Sequence, residues 1–248
     1  MELKENERID DLEYKGLKII QNCEGFCFGV DSVLLSDFAK EIKKNMKVVD
    51  LGSGTGIISL LLCKKTELKK IYGIELQKEV AEMSTRSVIL NKLEDKIEII
   101  NCNMKNVFNY IEPHKIDAIV TNPPYKKENT GVKSISEVQL ISRHEVECNL
   151  EDVISISSKM LRDLGEFYMV HRAERLVDIM CLMRKYKIEP KRIRFVHSKS
   201  NEKPTLILVK GIKCAKEFLK IDKPLVIYNE DGSYTDEILK IYNKRGNN

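Results

Sequence analysis

No CxxC pair and no His-rich cluster occurs in these 248 residues, and the seven cysteines are an odd number. A disulfide framework and a structural zinc site are therefore not expected, and the thiols read as free in a reducing cytosol. Cys23 and Cys27 can be neighbours on a strand or turn, but two thiolates alone make a poor metal site, so no metal is expected. No apolar stretch approaches the ~20 residues that cross a membrane. Met1–Asp11 is polar and charged, unlike a secretory leader. A cytoplasmic protein without a membrane partner is expected. Repeats and low-complexity linkers are missing too. Charge of one sign is not in great excess: the formal net charge is +4. That suits an anionic partner without requiring one.

What is present is apolar content of 42%, enough for one sizeable core. From about Lys47 the pattern alternates. MKVVDLG reads as a buried strand and Ile57–Lys64 as a helix. KKIYGIEL is a second strand, followed by a helix over Gln77–Lys92. KIEIINC and KIDAIVTN are the third and fourth strands, and Leu150–Leu164 is a helix. GEFYMVH, KRIRFVHS and TLILVKG are the fifth to seventh, with a helix over Ala173–Tyr186 after the fifth. The expected fold is α/β: a mostly parallel, Rossmann-like sheet covered on both faces, with an antiparallel hairpin at one edge. One domain is expected, with an N-terminal extension over 1–46, a core over 47–211 and a basic tail over 212–248. The tail reads as a loosely attached arm with a turn at Asn229–Gly232. A monomer is favoured.

In such a sheet ligands sit beyond the carboxyl ends of the strands. After the first strand comes Asp50-Leu51-Gly52-Ser53-Gly54-Thr55-Gly56. Glycines there let the backbone turn tightly and approach a ligand, and the next helix presents its amides to it. Glu75 closes the second strand, where a carboxylate can accept both hydroxyls of a ribose. A nucleoside-containing cofactor follows. The loop is not the nicotinamide G-x-G-x-x-G, and it carries no Walker lysine. DLGSGTG, with an acid closing the next strand, resembles motif I of the S-adenosylmethionine-dependent methyltransferases, whose sheet has seven strands and an antiparallel edge hairpin. The resemblance implies that Asp50, Gly52, Gly54 and Gly56 bind the cofactor, that Glu75 holds its ribose, and that Asn103 contacts its adenine.

The fourth strand ends in Thr121-Asn122-Pro123-Pro124-Tyr125. An amino group conjugated to a ring or carbonyl is a poor nucleophile. A site that methylates it must accept hydrogen bonds from its hydrogens, which shifts electron density to nitrogen. The Asn122 oxygen and the Pro123 carbonyl can accept them, and the two prolines stiffen the segment before the acceptor arrives. Tyr125 offers a stacking face. Asn122-Pro123-Pro124-Tyr125 matches the motif of amino-methyltransferases acting on adenine N6, cytosine N4 or glutamine amides, with Asn122 also beside the cofactor.

Further stretches narrow the resemblance. Phe26–Leu35 (FCFGVDSVLL), Arg143-His144-Glu145, Tyr168–Arg172 (YMVHR) and Arg194–His197 (RFVH) resemble the bacterial tRNA1(Val) adenine-N6 methyltransferase family over nearly the whole chain. That implies methyl transfer to N6 of an adenine in a tRNA anticodon loop. It also implies that Phe28–Leu35 covers the cofactor, with Phe28, Gly29 and Asp31 near it. Lys126, Lys127 and Lys133 flank the motif and can meet phosphates. Arg172, Arg175, Lys191, Arg192 and Arg194 add basic character, as do Lys213, Lys216, Lys220 and Lys223 in the tail. His144 and His171 read as structural or positioning groups rather than bases. The alternatives are a protein glutamine-amide methyltransferase and a non-catalytic RNA-binding protein on the same fold.

Overall fold

Successive residues of a strand point to opposite faces, and here both faces are buried. Val48 and Val49 are fully buried, as are Phe167 and Tyr168, and Leu208 and Val209. Each pair divides between two cores, Val48, Tyr168 and Leu208 on one side and Val49, Phe167 and Val209 on the other. A continuous apolar run is what a sheet covered twice demands. The computed structural model describes residues 3–23, 29–125 and 149–243.

The chain opens with an antiparallel hairpin, β1 (Glu7–Asp11) and β2 (Lys18–Asn22), followed by α1 (Val30–Phe38). Then come β3 (Lys47–Leu51), α2 (Ile57–Lys65), β4 (Lys70–Glu75), α3 (Lys78–Leu90), β5 (Ile97–Asn101) and β6 (Ile116–Thr121). After the undescribed stretch follow α4 (Leu150–Met160), β7 (Leu161–Arg172), α5 (Leu176–Lys185), β8 (Ile188–His197) and β9 (Pro204–Lys213). Short strands β10 (Lys220–Ile221) and β11 (Leu225–Val226) precede α6 (Asp236–Ile241). The main sheet runs β10-β8-β9-β7-β6-β3-β4-β5, with β11 also on β8. β3 to β7 are parallel, and β9 lies antiparallel between β7 and β8. All seven strands read from the sequence are present, with the expected hairpin at the edge. One core contains residues of α1, α2 and α6, and the other contains residues of α4 and α5.

Three local readings need correction. The helix expected over Leu150–Leu164 stops at Met160, because Leu161 already pairs with Ile116 on β6. The register then shifts, and Leu164 turns outward with φ 61°. The tail is not a loose arm within its described part. Leu225, Ile227, Ile238 and Ile241 are buried, and α6 packs on α1. Its apolar residues are too widely spaced to read as an element, although the Asn229–Gly232 turn is where it was expected, closed by a bond from Gly232 N–H to Asn229 O. Lys213 is no surface cation either. It is buried, and its Nζ donates to the carbonyls of Ser158 and Leu161 at 2.7 and 2.8 Å. It thereby satisfies oxygens that the end of α4 leaves open.

The extension, too, is part of the fold. Ile20 N–H donates to Ser87 Oγ at 2.9 Å, and Arg86 Nη1 donates to Glu7 Oε2 at 2.7 Å, so β1 and β2 are fastened to α3. Among the described residues no helix is long and apolar enough to cross a membrane.

Candidate active site

Strand pairing brings the two motifs together. Leu51 and Thr121 are partners across β3 and β6, and Thr121 Oγ1 donates to Leu51 O at 2.8 Å. The residues that follow, Gly52 and Asn122, therefore leave the sheet side by side. Glu75 ends the next strand, so the glycine loop, the acid and the Asn-Pro-Pro-Tyr segment share one edge.

The loop folds over the end of β4, with Gly52 N–H and Ser53 N–H both donating to Ile74 O. Gly52 and Gly54 have φ of 77° and 53°, and a Cβ on either would meet no atom within 4 Å. The backbone conformation calls for glycine, and the open space beside it is room for a ligand. Gly56 differs: with φ 83°, its Cβ would fall 2.3 Å from Ser84 Oγ, so here glycine lets the start of α2 lie against Ser84 of α3. The Glu75 carboxylate is buried. Oε2 accepts from Gly54 N–H and Oε1 from Gln77 N–H, both at 2.9 Å. Each oxygen keeps a lone pair for a further donor. These groups form an open cradle that fits a nucleoside with a vicinal diol.

Asp50 lies beneath the cradle, fully buried. Its Oδ2 accepts from Ser59 Oγ at 2.8 Å and Ser59 N–H at 3.2 Å, anchoring the first turn of α2, which lacks a side-chain cap of its own. Oδ1 has no partner among the described residues. Burial, only partly offset by the Ser59 bonds, pushes this carboxyl from 3.8 up to about 7. The folded state holds the proton more tightly than the unfolded one. Its stabilising effect is full below about pH 4 and lost as pH rises through about 7. Across that window the melting temperature of the ligand-free protein should fall relative to that of Asp50→Asn, then stay level above it. A difference that does not change with pH would show that this carboxyl titrates as it does in water.

Asn103 follows β5 and caps the short 3-10 turn Met104–Asn109, its Oδ1 accepting from Lys105 N–H at 2.9 Å. That leaves its amide hydrogens for a ligand. Asn101, which sequence reading passed over, ties β5 to the end of β4 by donating to the carbonyls of Glu75 and Leu76.

Around Asn122 the partners come from α1 and β7. Asn122 Nδ2 donates to Ser32 Oγ at 3.1 Å. Tyr125 Oη lies 2.7 Å from Asn122 Oδ1 and 2.5 Å from Asp31 Oδ2. The Tyr125 ring sits 5.2 Å from the His171 ring, and the Arg172 guanidinium stands 5.4 Å from its centroid. Burial, reinforced by the Asp31 carboxylate, keeps the Tyr125 hydroxyl protonated well above the usual tyrosine range. Pro123 is buried and Pro124 exposed. Gly29 precedes α1 with ordinary backbone angles, and a Cβ there would fall 2.6 Å from Asp31 Oδ1. Glycine at 29 therefore makes room for the Asp31 side chain. Ser32, His171 and Arg172 join this cluster, although sequence reading has Ser32 only within the Phe28–Leu35 stretch, His171 as a structural or positioning group and Arg172 as basic character. Their stretches were visible in the sequence, but their contacts were not.

His171 is buried, and burial lowers its imidazole to about 4. It is neutral near pH 7, and Nδ1 accepts from Arg172 N–H at 2.8 Å. The proton is then on Nε2, so no free lone pair remains for a general base. Of the other basic residues, Arg175 pairs with Asp178, Arg192 with Asp222 and Glu41, and Arg194 with Glu237. Arg172 has no carboxylate partner among the described residues. Phe28, Lys126, Lys127, Lys133, Arg143, His144 and Glu145 lie outside the described residues.

Known proteins are similar to this chain. Curated relatives include a tRNA1(Val) (adenine(37)-N6)-methyltransferase of Porphyromonas gingivalis, 25% identical, covering 94% of this chain and 93% of the relative. A protein of the same name from Phocaeicola vulgatus is 23% identical, covering 82% and 86%. Among solved structures, a predicted O-methyltransferase from Agrobacterium tumefaciens superposes with a TM-score of 0.68 at 18% identity, covering 86% of this chain and 95% of that one. TYW2 of M. jannaschii, solved in complex with AdoMet, gives 0.56 at 15% identity, covering 86% and 87%. These structural likenesses carry the fold alone. The family description "Methyltransferase small domain" matches residues 29–185, more than half of the chain. With the glycine cradle, Glu75 and the strand-end Asn122 on one edge, the chain belongs to the Methyltransferase small domain family.

Proposed function

We propose that this protein transfers a methyl group from S-adenosylmethionine to the exocyclic N6 of an adenine in tRNA, in the anticodon loop. The observation that carries the reading is the placement of Asn122-Pro123-Pro124-Tyr125 beside the open glycine cradle, at adjacent strand ends. The names of the curated relatives support adenine and tRNA as the acceptor.

When bound, the cofactor supplies an electrophilic methyl group on a sulfonium centre. Gly52 and Gly54 give it backbone room, Glu75 takes its ribose hydroxyls, and Asn103 meets its adenine. Asn122 Oδ1 and the Pro123 carbonyl accept the two amino hydrogens of the target base, raising electron density on nitrogen as it attacks. Their fixed placement is the chain's catalytic contribution, since no reorganisation is needed at the moment of reaction. Tyr125 presents its ring to the base. No side chain needs to remove a proton beforehand, because the nitrogen becomes strongly acidic only after transfer; the occupied His171 fits that requirement. Bases in a loop are extracted more cheaply than bases in a duplex, which suits a target in the anticodon loop. Arg172, exposed beside Tyr125, is placed to meet a phosphate flanking that base. A monomer in the cytoplasm completes the reading.

The test is methyl transfer itself. The protein is incubated with labelled S-adenosylmethionine and total tRNA lacking the modification, and the RNA is digested to nucleosides. Label in N6-methyladenosine is expected. No label in RNA, with label in protein of an RNase-treated extract, would move the acceptor to glutamine amides.

A further inference from the structure

Tyr125 has one hydroxyl proton and two acceptors in reach. Asp31 Oδ2 is at 2.5 Å and Asn122 Oδ1 at 2.7 Å. The carboxylate is charged and closer, and is the stronger acceptor. We propose that Asp31 is a positioning residue of the transfer reaction: by accepting the hydrogen bond of the Tyr125 hydroxyl it fixes that ring and leaves the Asn122 oxygen open to the substrate's amino group. The proposal rests on the reading of Asn122–Tyr125 as the acceptor site. It gives Asp31 a partner other than the cofactor, near which the sequence resemblance put it.

Several features make Asp31 fit to hold the ring. Its other oxygen, Oδ1, accepts from Ser32 N–H at 2.9 Å, so the carboxylate is fixed by the first turn of α1. Gly29 leaves the space in which Oδ1 lies. The ring it restrains is bounded by His171 and by Arg172. The same turn acts on Asn122 from the other side: Ser32 Oγ accepts from Asn122 Nδ2, so the amide presents its oxygen rather than its hydrogens toward Tyr125. A flipped amide would offer donors to an amino group that itself only donates. Without Asp31, the Tyr125 hydroxyl has the Asn122 oxygen as its remaining described acceptor, and its hydrogen bond there competes with the amino group of the base for one of that oxygen's two lone pairs.

The test compares Asp31→Asn, Tyr125→Phe and the double variant in the full-length protein. Methyl transfer into tRNA is measured at saturating S-adenosylmethionine, and cofactor affinity separately by calorimetry. Asp31→Asn should lower kcat about 10-fold to 100-fold, the scale of one charge-assisted hydrogen bond. It should leave cofactor Kd within about twofold, a range too small to count as a lost bond. The double variant should be no slower than the slower single variant, because Asp31 acts through the phenol. Multiplicative losses in the double variant, or a weakened Kd with kcat intact, would overturn the proposal while the tRNA reading stands. A wild-type protein that labels no tRNA would sink that reading instead. In that case a crystal structure of Asp31→Asn decides: a Tyr125 ring displaced from His171 supports the tether, and an unmoved ring refutes it.

Discussion

Asn122→Ala should reduce turnover by at least about 100-fold and leave S-adenosylmethionine binding nearly unchanged. The expectation follows from where the side chain stands. Its oxygen is aimed from the end of β6, fastened to β3 by the Thr121 bond, and its amide is oriented by Ser32. A preorganised hydrogen-bond partner at a reacting centre contributes on the order of 10²–10³ in rate. The alanine variant loses that partner and nothing that shapes the glycine cradle. Its kcat should therefore collapse at saturating cofactor, with folding unchanged by circular dichroism. A variant keeping more than about a tenth of the wild-type rate would mean that the amino hydrogens are accepted elsewhere.

Glu75→Ala should give the complementary phenotype. The carboxylate holds the loop through Gly54 N–H and the start of α3 through Gln77 N–H, and in the proposed reading it also takes the ribose hydroxyls. Removing it deletes a charged acceptor and releases the loop that it braces. Cofactor Kd should rise about 10-fold to 100-fold or more, as one or two charge-assisted hydrogen bonds predict. At saturating cofactor kcat should recover most of its wild-type value, because Asn122 is untouched. Glu75→Gln, which keeps the shape but only one acceptor oxygen, should fall between. Calorimetry on the folded variants checks the ranking. Unchanged affinity in Glu75→Ala would remove this residue from the cofactor site.

Much of this machinery was legible in the chain because chemistry and topology coincide. β3, β4 and β6 are largely buried on both faces and β5 partly so, so each reads as a short apolar run, and each run ends where a candidate site residue follows. Gly52, Glu75 and Asn122 could be placed at strand ends by position, and Asn103 through the resemblance. What stayed hidden depends on contacts between distant segments. Asp31 and Tyr125 are 94 residues apart, and no periodicity links them. The hairpin of β1 and β2 escaped notice because Ile9 stays exposed among charges, and Ile19 and Ile20 are covered only once α3 is beside them. The end of α4 was misjudged because Leu161 and Leu164 continue a helical spacing that pairing with β6 overrides. The tail looked like a solvated arm for a similar reason: Leu225, Ile227, Ile238 and Ile241 are recognisably core only against α1 and β8.

The seating of α6 on α1 has a consequence for the order of events during synthesis. Ser32 and Asp31 are made early, the glycine loop and Asn122 follow, and Ile238 and Ile241 come far later. β8, likewise, reaches the sheet only through β9, which is made after it. Domains generally fold as units. A nascent chain that has not yet released residues 236–241 carries every motif of the site but lacks the helix that backs α1. Helix α1, with Asp31 and Ser32 in its first turn, therefore gains its backing from a helix made long after the motifs of the site.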